Sequence, residues 1–347
     1  MTENNHIPVF YEGQDDLIEI LATSMASVCY TTKSFIDFYI LDCGICDFNK
    51  RQLEGMKEKF NNFSLEFIPI DLKQFEGLKG YTANNYVDCY SRLLIPELKP
   101  DLDKAIYLDS DTIALKDIQF LWDENIYNKS LGAVADLGYR QSTKDYFVNV
   151  LGGNPKQIFL SGGLFVVDCK KWRKNKTTEC LLNLAKEKGN NLNLIIEDLF
   201  SLYFVGDFCL LDSRYGFIEI DNFTDDIPCE RITKKYLENE LNNVSILHFA
   251  GDNKVWKNAL NKFTGKFHSQ FSNFWKFAAM TPYYDGLQNK YIWYCAETFR
   301  YPLPTTVAAK KTEYRLFNLF PLFKTVVKRS RWIKLFGFIP FIKIKEK

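Results

Sequence analysis

The first hundred residues alternate short apolar runs with segments of helical spacing, the pattern of a largely parallel sheet with helices packed on it. Residues 7–11 form an apolar run that reads as a strand, 17–29 place apolar side chains at helical intervals, and 37–41 return to strand character. Asp47 is placed to cap a helix running to about Phe60, and 64–68 read as a third strand. The polar stretch 79–85 leads into a helix predicted to end near Pro96. Further strands are predicted at 105–108, 131–135, 164–167, 208–211 and 244–247. After about Gly265 the pattern gives way to aromatic-rich segments, and Tyr301-Pro302-Leu303-Pro304 breaks it ahead of a tail. The expected organisation is an α/β domain over residues 1–265 and a C-terminal region over 266–347, its tail from about 310 helical.

Composition narrows the class. With 46% apolar and 16% aromatic residues the chain can bury a large core, which excludes a disordered or low-complexity protein. The net charge of +1 conceals an asymmetry: residues 310–347 carry eleven Lys or Arg against Glu313 and Glu346, so the preceding residues are net acidic. An acidic body with a basic tail argues against a nucleic-acid-coating protein. The tail interleaves Leu316, Phe320, Trp332, Ile333 and Ile339 with Lys and Arg, a composition suited to lying on an anionic membrane surface. No run of 18 apolar residues suggests a membrane-spanning helix. The start, MTENNHIPVF, is too polar for a secretory signal, and nine cysteines suit reduced thiols. The expected location is therefore cytoplasmic, peripheral to the inner face of the membrane. Cys43-Gly44-Ile45-Cys46 has CxxC spacing, but no second pair supplies the four ligands of a structural zinc.

The candidate chemistry lies at Asp109-Ser110-Asp111, directly after the apolar run 105–108. Ligands of open α/β sheets bind beyond the carboxyl ends of strands, and carboxylates at the rim of a core need a partner. A hard divalent cation, shared with phosphate oxygens, is one such partner. His248, at the end of the predicted strand 244–247, is a candidate third ligand, although a lone histidine there also fits a hydrogen-bonded core residue. Gly251 and Lys254 follow at close spacing and would let backbone and an ammonium group approach a diphosphate.

Taken in order, several segments resemble the bacterial family-8 glycosyltransferases, which include lipopolysaccharide and lipooligosaccharide galactosyl- and glucosyltransferases. The resemblance covers about residues 7–260 and rests on 7–10, Tyr90-Ser91-Arg92-Leu93-Leu94-Ile95-Pro96-Glu97-Leu98, Tyr107-Leu108-Asp109-Ser110-Asp111, Ser161-Gly162-Gly163, Lys170-Lys171-Trp172-Arg173 and His248-x-x-Gly251-x-x-Lys254-x-Trp256. It implies a GT-A fold and a retaining transfer of galactose or glucose from a UDP-sugar to a glycan or glycolipid acceptor such as lipooligosaccharide. It also implies Mn²⁺, with Mg²⁺ as the substitute, held by Asp109, Asp111 and His248. The donor would be contacted by Arg92, Asp109, Ser110, Asp136, Ser161, Gly162, Gly251 and Lys254.

The chain departs from the family pattern in three places. The first turn reads Tyr11-Glu12-Gly13-Gln14-Asp15-Asp16 where the family carries an alanine-led acidic motif; Asp15 or Asp16 is then expected at the ribose or uracil, and Tyr11 against the base. Ser161 stands where the family usually has asparagine. Ile196-Glu197-Asp198 replaces Asp-Gln-Asp, which makes Glu197 a candidate nucleophile or, equally, a carboxylate placed for the helix dipole, and leaves Asp198 as a catalytic candidate. These departures motivate the rival class, a nucleotide-sugar- or glycan-binding homologue without turnover.

Overall fold

The computed structural model describes residues 6–81, 86–138, 141–218, 232–251, 254–260 and 267–298, and four strands between 312 and 344. The chain divides into two compact units, Met1–Asn289 and Lys290–Lys347.

The first unit opens as the apolar pattern predicts, with β1 (His6–Gly13), α1 (Ile18–Thr31), β2 (Phe35–Asp42), α2 (Asp47–Gly55) and β3 (Phe63–Pro69). A 3-10 segment, Asp88–Leu94, runs into α3 (Ile95–Leu98), followed by β4 (Lys104–Leu108), β5 (Thr112–Ala114), α4 (Gln119–Trp122) and β6 (Leu131–Ala135). Then come α5 (Gln141–Asn149), β7 (Leu160–Asp168), α6 (Cys169–Lys174), α7 (Thr177–Lys188), α8 (Ile195–Tyr203) and β8 (Phe208–Leu210). The series closes with α9 (Lys234–Leu241), β9 (Ile246–His248), α10 (Phe271–Ala278) and α11 (Tyr284–Thr298).

Seven strands form one sheet in the order β3-β2-β1-β4-β7-β6-β8. Every pairing is parallel except those of β7 with β4 and β6. Both faces are covered, which explains why the strands read as continuous apolar runs rather than alternating ones. Ile7, Val9 and Tyr11 pack on one face with Leu21, Met25 and Val28 of α1, while Phe10 packs on the other with Tyr90 and Leu93. A separate two-stranded sheet pairs β5 with β9, setting Thr112 opposite His248. Ser27 of α1 ties β5 in place, its Oγ accepting the Ala114 N–H at 2.8 Å.

Sequence expectation and structure meet at several particular points. Asp47 is the first residue of α2, not its cap; Cys46 holds that position, and Asp15 Oδ1 accepts the Cys46 N–H at 3.0 Å from across the site rim. The helix before β4 ends near Pro96 as expected, running on to Leu98 because proline near a helix start loses no intrahelical hydrogen bond. The first unit reaches past 265 to Asn289: α10 seals α1, with the Tyr30 and Phe277 rings 5.9 Å apart and Lys276 Nζ 4.0 Å above Tyr30.

The tail is not helical. It forms an antiparallel sheet in the order β10 (Thr312–Leu316), β11 (Phe320–Lys328), β12 (Ser330–Leu335), β13 (Ile339–Ile344). Its β-branched and aromatic residues favour strands, and an apolar-basic alternation such as Ile342-Lys343-Ile344-Lys345 fits a period of two. The break at Tyr301-Pro302-Leu303-Pro304 lies outside the described residues. Among the described residues no helix is long and apolar enough to cross a membrane.

Candidate active site

The site is built at the carboxyl end of β4, where the chain turns sharply into β5. Asp109-Ser110-Asp111-Thr112 forms that turn, closed by the Thr112 N–H donating to Asp109 O at 3.1 Å and by Thr112 Oγ1 donating to the same oxygen at 2.8 Å. The turn folds both carboxylates to one side. Because β9 pairs with β5, His248 arrives beside them: its Nε2 lies 3.1 Å from Asp111 Oδ1 and 3.7 Å from Asp109 Oδ2. One ligand atom from each of Asp109, Asp111 and His248 falls within 4.8 Å of the others.

Lys254 completes the electrostatics. Its Nζ donates to Phe249 O at 2.7 Å and contacts Asp111 Oδ2. Burial works against the Asp111 charge, but Lys254 and His248 outweigh it and hold that carboxyl far below the usual range. Burial also works against an imidazolium, yet Asp111 and Asp109 hold His248 above its ordinary value. Gly251, at φ +64°, supplies the left-handed residue from which the chain proceeds toward Lys254.

Arg92 lies behind Asp109 and is almost wholly buried. Its Nε donates to Cys89 O at 3.0 Å, Nη1 to Gly162 O at 2.9 Å and Nη2 to Glu12 Oε2 at 3.1 Å, while Nη1 also lies in an ion pair 2.9 Å from Asp109 Oδ1. Its guanidinium is thus engaged by the protein through three hydrogen bonds and an ion pair, which makes Arg92 a brace for Asp109. Its guanidinium also covers the Tyr107 ring at 4.5 Å, and the Tyr107 hydroxyl donates to Asp109 Oδ1 at 2.8 Å. Burial raises the Glu12 carboxyl to about 8; Arg92 opposes the shift, and Asp88 and Asp109 add to it.

The glycine pair on β7 makes this packing possible. A Cβ on Gly163 would meet His248 Cε1 at 2.4 Å and Asp109 Oδ2 at 2.6 Å, so a larger residue there would displace one of the cluster side chains. On Gly162 it would meet Ile196 Cγ2 at 2.6 Å, with Glu197 Oε1 at 3.3 Å. Successive strand residues face opposite sides, so β7 passes between the Asp-Asp-His cluster and the start of α8. Ser161 is buried and its Oγ accepts the Gly163 N–H at 3.4 Å.

Glu197, in the first turn of α8, accepts from the Tyr81 hydroxyl at 2.9 Å and from the Gly162 N–H at 3.4 Å. Burial raises its carboxyl to about 7, Asp136 adds repulsion, and Tyr81 and Arg92 oppose the shift. Asp136 follows directly on β6, and its Oδ1 accepts the Gly138 N–H at 2.7 Å.

The structure draws together Arg92, Asp109, Asp111, His248 and Lys254, and joins Gly162 to them through Arg92; Ser110 sits in the same turn. It does not bring in every expected residue. Tyr11 is fully buried in the core with its hydroxyl 2.9 Å from Ser24 Oγ, so its ring is unavailable to a base. Asp15, with Asn49 and the Cys46 backbone donating to Oδ1, is held below the usual carboxylate range and anchors α2, while Asp16 is exposed. Asp198 is fully buried: Oδ2 accepts from the Tyr146 hydroxyl at 2.7 Å and from the Asn193 and Leu194 N–H groups at 2.9 Å. It ties down the loop that starts α8. Tyr107 was legible as a site residue, since it shares a strand face with Asp109 two positions on. Tyr81 and Tyr146 carried no local signal.

The family described as glycosyl transferase family 8 matches residues 8–259 of this arrangement. The chain belongs to glycosyltransferase family 8. It is therefore a glycosyltransferase, and the Asp-Asp-His cluster lies within the matched segment. Among its relatives, General stress protein A of Bacillus subtilis is 28% identical over 229 residues, 64% of this chain and 76% of that protein. Glycosyltransferase GlyF of Streptococcus pneumoniae is 28% identical over 237 residues, 68% of this chain but only 54% of GlyF. The galactosyltransferase LgtC, crystallised with donor and acceptor sugar analogues, superposes with a TM-score of 0.65 at 20% identity, over 80% of this chain and 96% of LgtC. The bifunctional glycosyltransferase WbbM superposes with a TM-score of 0.68 at 20% identity, over 84% of this chain and 53% of WbbM. These likenesses identify the fold of the family-8 glycosyltransferase as GT-A, with its mixed, mostly parallel central sheet.

The cluster suits a divalent cation on its chemistry. Two carboxylates and an imidazole form an oxygen-nitrogen donor set, and Gly163 leaves no side chain between them and β7.

Proposed function

We propose that this glycosyltransferase moves galactose or glucose from a UDP-sugar to a bacterial surface-glycan acceptor, with retention at the anomeric carbon and with Mn²⁺ held by Asp109, Asp111 and His248. Mg²⁺ is the alternative ion. The carrying observation is the convergence of those three side chains within 4.8 Å at the carboxyl end of β4. The name of LgtC, a galactosyltransferase, and its donor and acceptor sugar analogues support the hexose and two-substrate parts of the reading.

A divalent cation bound there supplies positive charge against which the diphosphate departs. Lys254 and the backbone at Gly251 add a cation and close approach on the same side. Arg92 keeps Asp109 oriented from behind. Ser110, Asp136, Ser161 and Gly162 bound the sugar end, and Asp15 or Asp16 serves the nucleoside. Glu197, ionised above about 7, is either the nucleophile of a double displacement or the charge that steadies an oxocarbenium-like sugar during front-face attack. The acceptor is a glycan or glycolipid, and the basic composition of residues 310–347 supports its presentation at an anionic membrane surface on the cytoplasmic side.

A panel of UDP-sugars with Mn²⁺, scored for UDP release with and without acceptor glycan, tests the reading. Release is expected from a UDP-hexose and is lost on chelation. No release from any UDP-hexose by the wild-type chain in saturating Mn²⁺ overturns it.

A further inference from the structure

Glu197 is a carboxyl of this site whose surroundings disfavour its charge. It is largely enclosed, Asp136 repels its charge, and the Gly162 N–H is a long 3.4 Å from Oε1. A carboxyl so placed, with one weak donor, would turn about its last torsion and take up a proton readily. Among the described residues, the short hydrogen bond it receives comes from Tyr81, 2.9 Å from Oε2 and 116 positions away in sequence.

Tyr81 is itself well anchored. Its N–H donates to Tyr86 O at 2.9 Å and its carbonyl accepts the Tyr86 N–H at 3.0 Å, a two-way antiparallel bridge. Two residues earlier, Lys79 O accepts the Tyr90 hydroxyl at 2.8 Å, and Lys79 Nζ donates to Asn190 O at 3.2 Å, in the segment leading to α8. The tyrosine backbone is thus referenced both to the segment that carries Arg92 and to the approach of the helix that carries Glu197. That is the geometry of a support for a side chain rather than of a surface residue.

We propose that Tyr81 is a positioning residue for Glu197: its hydroxyl holds Oε2 and so directs Oε1 along Gly162 toward the donor sugar. Oε1 then keeps lone pairs for the reacting centre, because the Gly162 N–H engages it only weakly. The same hydrogen bond favours the ionised carboxyl, so Tyr81 also helps set the pH above which Glu197 acts. This inference rests on the role proposed for Glu197, and its test separates the two.

The variants are Y81F, E197Q and the double variant in the full-length chain, each checked for native circular dichroism. The readouts are the pH profile of UDP release with Mn²⁺ and, independent of turnover, the Glu197 carboxyl titration from ¹³C-glutamate NMR, assigned by its absence in E197Q. Y81F is expected to lower kcat about tenfold with KM changed less than about twofold, as loss of orientation does. It should also move the acidic limb and the NMR midpoint upward by about one pH unit. In the E197Q background the same substitution should change kcat less than about twofold. An unmoved Glu197 midpoint in Y81F, or an equal loss from Y81F with and without Glu197, overturns the Tyr81 proposal. Full activity in E197Q overturns the catalytic role of Glu197 and, with it, the kinetic part of the Tyr81 proposal, while the NMR midpoint still reads whether the hydroxyl supports the charge.

Discussion

The Nε2 atom of His248 lies 3.1 Å from Oδ1 of Asp111, and a three-residue pairing of β5 with β9 brings them together. Without that small sheet, the Asp109 turn would offer two carboxylates and no nitrogen ligand. The pairing also presents Lys254 to Asp111, so one strand contact assembles the ligand set and the adjacent cation.

Replacing Asp111 with Asn keeps the shape of the turn while removing the charge that His248 and Lys254 share. Transfer should fall about a hundredfold or more, because charge compensation at the departing diphosphate is lost. Thermal unfolding should remain cooperative. UDP release by Asp111→Asn equal to wild type in saturating Mn²⁺ counts against the cation site, and the same assay applies to Asp109→Asn.

Gly163→Ala tests how closely β7 must approach the cluster. The added methyl would sit 2.4 Å from His248 Cε1 and 2.6 Å from Asp109 Oδ2, so one of these side chains must move. Overpacking of this kind costs about 1–3 kcal/mol. Displacing a ligand by about 1 Å lowers transfer by roughly a hundredfold. Urea unfolding and Mn²⁺ titration of the variant check both outcomes; wild-type Mn²⁺ affinity would show that the cluster tolerates the methyl.

The Glu197 carboxyl links stability to pH. Its folded-state value is raised from 4.5 to about 7, so between those values the native protein binds more protons than the unfolded chain. Stability contributed by the protonated form is therefore present below about 4.5 and lost as the pH rises through about 7. Across that window E197Q, which never ionises, should gain stability relative to wild type as the pH increases. Melting curves of both proteins from acid to neutral pH measure the difference; parallel curves would contradict the shift.

Asp198 should prove structural. Burial raises its carboxyl, while Tyr146 and two backbone N–H groups oppose that shift by bonding Oδ2. Removing one such bond in Tyr146→Phe should cost about 1–3 kcal/mol, since the acceptor is buried. Chemical denaturation of Tyr146→Phe against wild type gives the value, and an unchanged midpoint would show that the loop is held by other contacts.

Much of the fold was legible because parallel strands buried on both faces leave unbroken apolar runs, and 105–108 followed by Asp109 marked the end of one of them. The tail misled because a basic-apolar alternation satisfies a helix face and a strand face almost equally over short stretches, and strand pairing settles the choice. Tyr11 misled for a related reason: its place at the end of β1 suggested access to a nucleoside, but strand alternation turns it into the core beside Ser24.

The sequence alone determined which residues had the chemistry: two aspartates in a turn after a core strand, a histidine at another strand end, a lysine six positions beyond it, and a Gly162-Gly163 pair. Only the tertiary structure decided who meets whom. It set Arg92 against Asp109, Asp198 against the loop that starts α8, and Tyr81 against Glu197. Side-chain chemistry is local and can be read from a chain, whereas hydrogen-bond partners and desolvation depend on strand order and on contacts between residues far apart in sequence, which local patterning does not encode.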